Sequence, residues 1–189
     1  ISQSDNFYWT PSKDRELNRR LIIPFTYGGQ TVGWTGRLVD ASTPEKPKYW
    51  SSVPPNYLFN NEFLEIDRKF VIVVEGPMDA LAIDGVATLG AKVSDEQSRW
   101  LNTCGKQVIV LADRDRSGQR LIDHALVNNW MVSFPKLKDG HGFNNWWDSD
   151  VKDAADAAKK YGKLYAVRSI LESATASKME INIKQKLLY

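Results

Sequence analysis

The chain has 189 residues, 42% of them hydrophobic and 25% charged, with a formal net charge of +2. That length suits one domain or two small ones with a real core, and so balanced a charge excludes a protein whose composition alone announces a nucleic-acid binder. The single cysteine, Cys104, excludes an internal disulfide and an intrinsic zinc cluster and points to a reducing cytosol, and no apolar run is long enough to cross a membrane.

The amino end, Ile1-Ser2-Gln3-Ser4-Asp5, has neither the basic nor the apolar region of a leader. It also lacks an initial methionine, and we expect a piece of a longer polypeptide. Between Lys13 and Lys48, seven basic residues stand against four acidic ones with aromatics interleaved. Such mixtures serve single-strand binding, although on charge alone a solvated surface is the simpler reading. Leu21 to Phe25 and Thr31 to Val39 flank a Gly28-Gly29 turn and predict a hairpin. Ala41 to Pro55, rich in Pro, Ser and Lys, reads as a surface connection.

From Phe70 the pattern changes to alternating strands and helices. Phe70 to Val74 predicts a buried strand, Met78 to Ile83 a short helix, and Ala87 to Gly90 a second strand. Ser94 with Gln97 three residues on is a capping-box signature opening a helix towards Leu101. Val108 to Asp113 predicts the third strand, Ser117 to Asn128 a helix with Leu121, Ile122, Ala125 and Leu126 on one face, and Trp130 to Leu137 the fourth strand. A loop follows at 139–147, then helical sequence over 151–161 and 164–173; past Ala174 the pattern is weak. Strands alternating with helices predict an α/β fold, a parallel sheet with flanking helices, preceded by a smaller mixed α+β subdomain. The expected divisions are 1–69, 70–162 and a helical tail over 163–189.

Two strands end in acidic turns: Glu75-Gly76-Pro77-Met78-Asp79 after the first, and Asp113-Arg114-Asp115-Arg116-Ser117-Gly118 after the third. Carboxylates at the carboxyl ends of adjacent parallel strands converge on one crevice, where open α/β sheets bind ligands. Such an oxygen-rich site suits Mg²⁺, which keeps waters for substrate phosphates. Asp79, one helical turn beyond Glu75, reads either as an auxiliary ligand or as an acidic residue complementing its helix dipole.

The paired motifs, in this order and spacing, resemble the Toprim fold shared by primases, type IA and type II topoisomerases and certain nucleases. Upstream, Arg20-Leu21-Ile22-Ile23-Pro24-Phe25, Gly33-Trp34-Thr35-Gly36-Arg37, Pro47-Lys48-Tyr49 and Leu58-Phe59 are similar to the amino-terminal subdomain of DnaG-type bacterial and phage primases. The resemblance covers roughly residues 15 to 160. It implies an RNA polymerase core making short primers on single-stranded DNA from ribonucleoside triphosphates. It also implies two or more Mg²⁺ or Mn²⁺ ions on Glu75, Asp113 and Asp115, with Glu75 a ligand or a general base.

Lys152-Asp153-Ala154-Ala155-Asp156 resembles a phage-primase pattern and makes Asp153 the choice for a third acidic motif, with Asp156, Asp139, Asp148 and Asp150 as competitors. By the same resemblance Arg20 and Arg37 would contact template phosphates and Lys48 the nucleotide triphosphate. A helicase and a zinc-binding module are implied as partners outside this chain, with no membrane. Arg114, Pro77 and Asn60-Asn61 depart from the bacterial pattern and suggest a phage or otherwise divergent enzyme. A Toprim nuclease or other Toprim phosphodiester-processing enzyme such as a topoisomerase subunit, or a non-catalytic DNA-binding remnant, are the alternatives.

Overall fold

In the first sheet, β1 (Tyr8–Trp9), β2 (Arg20–Tyr27), β3 (Gln30–Leu38) and β4 (Tyr49–Ser52) run antiparallel in the order β1-β2-β3-β4. The computed structural model describes residues 7–9, 17–39, 46–90, 92–113, 116–135, 147–148 and 150–188. Gly28 and Gly29, both at positive φ, make the tight turn between β2 and β3. Ile23, Phe25 and Thr35 are buried on one face, where the Tyr57 ring stacks on Phe25 at 5.2 Å. β4 lies inside the stretch expected to be a connection. Its Tyr49-Trp50-Ser51-Ser52 run is only four residues long between prolines, yet its aromatics suit a pleated surface and it pairs with Trp34 to Arg37 of β3.

A second sheet has the order β6-β5-β7-β8-β9. Along the chain come β5 (Phe70–Val74), α1 (Pro77–Ile83), β6 (Val86–Ala87), α2 (Asp95–Thr103), β7 (Gln107–Val110), α3 (Arg116–Asn128) and β8 (Met131–Ser133). They are followed by α4 (Ala154–Tyr161), α5 (Lys163–Glu172), β9 (Ala174–Thr175) and α6 (Lys178–Leu188). β6, β5, β7 and β8 are parallel and β9 is antiparallel to β8. Val71 to Val74 and Val108 to Val110 are buried, as strands covered on both faces must be. Right-handed crossovers carry α1 to one face and α2 and α3 to the other. The predicted capping box is present: Ser94 Oγ accepts from the Gln97 N–H while Gln97 Oε1 accepts from the Ser94 N–H. Gln97 also donates to the Thr88 carbonyl, tying the start of α2 to the end of β6.

The chain divides into two compact units, 1–57 and 58–189. Leu58 is buried in the second core, and Phe59 exchanges backbone hydrogen bonds of 2.9 and 3.1 Å with Ala87. Asn60 and Asn61 serve this junction. Asn60 is buried at φ 57° with its amide donating to the Gly85 carbonyl, and the Asn61 amide donates to the Leu58 carbonyl. Asn tolerates the left-handed region that position 60 requires.

The carboxyl-terminal segment is not a separate tail. Ser133 of β8 donates to the Ile170 carbonyl of α5, β9 extends the sheet, and Ile181 of α6 is in the core. Among the described residues no helix is long and apolar enough to cross a membrane.

Candidate metal centre

The register of β5 and β7 brings the two acidic turns together. Val73 pairs with Val110, and the Leu111 N–H donates to the Val73 carbonyl at 2.9 Å. Glu75 therefore follows Val73 by two positions and Asp113 follows Val110 by three, at the carboxyl ends of adjacent parallel strands. Glu75 is buried, with Oε1 enclosed by protein. Asp115 and Arg114 lie outside the described residues.

Asp79 stands in the first turn of α1, whose N-cap is Gly76 and whose first residue is Pro77. Proline is preorganised for that position, where its missing N–H costs nothing, so its presence after Glu-Gly fits the helix start. A Cβ on Gly76 would lie 3.0 Å from Asp79 Oδ2, so the glycine leaves room for that carboxylate. Asp79 Oδ1 accepts the Ala155 N–H at 3.0 Å, and Asp153, the N-cap of α4, accepts the Asp156 N–H at 2.8 Å. The starts of α1 and α4 are thus joined through one carboxylate.

Burial pushes the Asp79 carboxyl up to about 7, and the neighbouring negative charges of Asp153 and Asp113 push in the same direction. The Ala155 N–H works against them, while a hydrogen bond with the Asp153 side chain also favours the protonated form. Three carboxylates from α1, the end of β7 and the cap of α4 therefore share one electrostatic environment in which an added cation would relieve repulsion. Their donors are all oxygen, the chemistry of Mg²⁺ or Mn²⁺ sites. Among the described residues no three Asp, Glu, His or Cys side chains already stand at metal-ligand spacing.

A stability prediction follows from the raised Asp79 carboxyl. Between the ordinary aspartate value of 3.8 and about 7, the folded protein holds a proton that the unfolded chain has released, so stability falls as pH rises through that interval. With divalent ions chelated, Asp79→Asn should flatten this slope and raise stability at pH ~8 by ~2 kcal/mol, a figure reduced for partial exposure. Denaturant unfolding across that pH range reads it; an unchanged slope in the variant would remove Asp79 as its source.

Of the other acidic candidates, Asp148 and Asp150 both bind Lys160 near the far end of α4, at 3.0 and 2.7 Å, and the Tyr161 hydroxyl donates to Asp148. Those pairings hold both carboxyls below the usual range. Asp156 accepts from the Lys152 N–H, and Asp139 lies outside the described residues. Of these described candidates, the structure sets Asp153 beside Asp79.

The basic residues of the first unit divide differently from expectation. Arg20 is 1% exposed; Nη1 donates to the Gly36 carbonyl at 2.9 Å and to that of Lys48 at 3.3 Å, and Nη2 to that of Pro47 at 2.9 Å. This burial argues against the expected template contact, because the guanidinium is enclosed and its donors hold the approach to β4. Arg37 and Lys48 instead flank the half-buried Tyr49 ring, at 5.9 and 5.6 Å from its centroid, and Arg37 is registered opposite Tyr49 across β3 and β4. The role of Tyr49 in gathering both cations was missed, although the Lys48-Tyr49 adjacency was its signal. Trp147 is core: it is 3% exposed and its Nε1 donates to Ser169 Oγ.

Comparison with known proteins agrees with this geometry. Residues 72–141 match the Toprim-like family. The chain is 27% identical to a DNA primase of Clostridium acetobutylicum over 89% of its length, and 30% identical to that of Haemophilus influenzae over 78%. It spans 29% and 26% of those relatives. Among solved structures, the E. coli primase catalytic core superposes with a TM-score of 0.65 at 21% identity, covering 93% of this chain and 61% of that one. A DnaG primase catalytic domain bound to single-stranded DNA gives 0.65 at 23% identity, covering 90% and 57%. With the acidic turns of β5 and β7 at one sheet edge and these relatives on either side of the comparison, the chain carries the Toprim-containing catalytic-core fold of DnaG-type DNA primases and is related to them in sequence.

Proposed function

We propose that this chain is the catalytic core of a DNA-directed RNA polymerase that makes short primers on single-stranded DNA by metal-dependent nucleotidyl transfer. The observation carrying this reading is the convergence of Asp79, Asp113 and Asp153 in one electrostatic environment, with Glu75 buried at the same sheet edge. Glu75, Asp113 and Asp115 are the proposed ligands of Mg²⁺ or Mn²⁺, with Asp79 and Asp153 completing the negative shell. When bound, two divalent ions would stabilise the attacking and leaving oxygens of an in-line displacement at the α-phosphate.

The protein's own groups orient and hold. Glu75, enclosed at the sheet edge, either ligates or takes the proton of the primer 3′-hydroxyl. Asp79, held by the Ala155 N–H, keeps Asp153 close to the end of β7. Arg37 is assigned to template phosphates and Lys48 to the nucleotide triphosphate, and Tyr49 limits the rotamers of both. Arg20 takes no part in this set.

Single-stranded DNA and ribonucleoside triphosphates are the proposed substrates. One relative is seen with single-stranded DNA, and another's polymerase domain with a duplex carrying a 6-nucleotide overhang. A helicase and a zinc-binding module are proposed partners through regions outside this chain, and the work belongs to the cytoplasm. An Aquifex aeolicus primase structure includes zinc-binding and RNA polymerase domains. Incubation with single-stranded DNA, labelled ribonucleotides and Mg²⁺ or Mn²⁺ should yield short RNA. Degradation of the DNA without nucleotides would instead mark a Toprim nuclease.

A further inference from the structure

A shallow, open concavity of about 370 Å³ lies on the outer side of α3 and is lined by Lys92, Arg120, Asp123, His124 and Val127. Its size falls in the range of small-molecule sites. Arg120, Asp123, His124 and Val127 are spaced i, i+3, i+4 and i+7, so they form one stripe of α3, opposite the buried Leu121, Ile122 and Ala125. Lys92 reaches the same concavity from the loop before α2, fixed by buried Val93 and the Ser94 capping box.

An ordinary solvated helix face would pair Arg120 with Asp123 three residues on. Here the Asp123 carboxylate instead accepts from the Gln185 amide of α6 at 3.3 Å, and among the described residues neither Lys92 nor Arg120 makes an ion pair. Two cations with no ion-pair partner among the described residues, an imidazole, an oriented carboxylate and the 79% exposed Val127 thus share this lining.

We propose that this concavity binds a small phosphorylated ligand of nucleotide size. Lys92, Arg120 and His124 meet the phosphate, Asp123 accepts from a hydroxyl or amine of the ligand body, and Val127 packs against its apolar part. The carboxylate in the lining and the limited volume favour a discrete ligand over a continuous nucleic-acid backbone. The site stands on the α2 and α3 side of the sheet and uses none of the carboxylates of the metal centre.

The test is an amide NMR titration of the chain with AMP, and separately with inorganic phosphate, with divalent ions chelated so that the metal centre recruits no nucleotide. Saturable shifts at Lys92, Arg120, Asp123, His124 and Val127 are expected, stronger with AMP. They should weaken by at least about tenfold in a Lys92→Glu, Arg120→Glu variant, whose exposed positions leave the fold intact, and persist in Glu75→Gln. The proposal is overturned by the absence of saturation at millimolar AMP, by equal shifts in the charge-reversed variant, or by preferential binding of a short single-stranded DNA through the same residues.

Discussion

If the proposed function holds, Asp113→Asn is expected to lower primer synthesis by about a thousandfold or more, because a neutral amide removes both charge and donor strength where the proposed divalent ions would stabilise phosphoryl oxygens. Glu75→Gln should lose a similar factor. Neither change should unfold the protein: Asp113 stands past the end of β7, and glutamine is nearly isosteric with the glutamate it replaces at the sheet edge. The assay scores short RNA on single-stranded DNA with Mn²⁺ and with Mg²⁺, accompanied by a thermal melt of each variant. Synthesis within tenfold of the unaltered chain in Asp113→Asn would show that the transfer does not depend on this carboxylate. Calorimetric titration with Mn²⁺ supplies an independent readout, and the same variant should bind the ion more weakly even where catalysis is too slow to measure.

Arg20→Ala is expected to destabilise the first unit by about 3 kcal/mol, since it strips a charged donor from three backbone carbonyls and empties the enclosed space that the side chain fills. Arg20→Met separates two contributions: it keeps an apolar stem over Gly36 and should recover part of the loss. Urea unfolding followed through tryptophan emission reads both, because Trp9, Trp34 and Trp50 all lie in this unit. A variant that folds as stably as the original but binds single-stranded DNA at least tenfold more weakly would restore the phosphate role that burial of Arg20 argues against. Arg37→Ala, by contrast, should leave stability nearly unchanged, its guanidinium being only half-buried against Tyr49.

What was legible in the sequence was local. The Gly28-Gly29 hairpin, the Ser94 to Gln97 capping box and the buried runs of β5 and β7 each announce themselves within a few residues, and all are present. The two acidic turns were legible because strand ends and their order are local properties, while parallel pairing of the two strands follows from the helix-strand-helix connection between them. The parts that escaped depend on distant partners. Arg20 finds its carbonyls 16 to 28 positions away, and nothing in Arg-Leu-Ile-Ile says that the guanidinium turns inward. Asp79 reads equally as an auxiliary ligand or a helix-dipole residue, and the Ala155 N–H that reaches it comes from 76 positions on. β4 and β9, of four and two residues, are too short for a periodic pattern and exist because a neighbouring edge offers them hydrogen bonds.

The pairing of β9 with β8 bears on how this protein stays apart from copies of itself. Val132 and Ser133 pair with Thr175 and Ala174, so that β8 lies inside the sheet and the two-residue β9 forms its margin. A chain ended after Gly162, where the parallel-sheet unit was expected to finish, would present β8 as a bare strand, a ready template for another molecule's edge. Concentration-dependent light scattering of that shortened chain should rise where the full chain stays monodisperse. Everything from Lys163 onward would then owe part of its place in the fold to solubility, as a built-in stop that closes the sheet before a stranger can extend it.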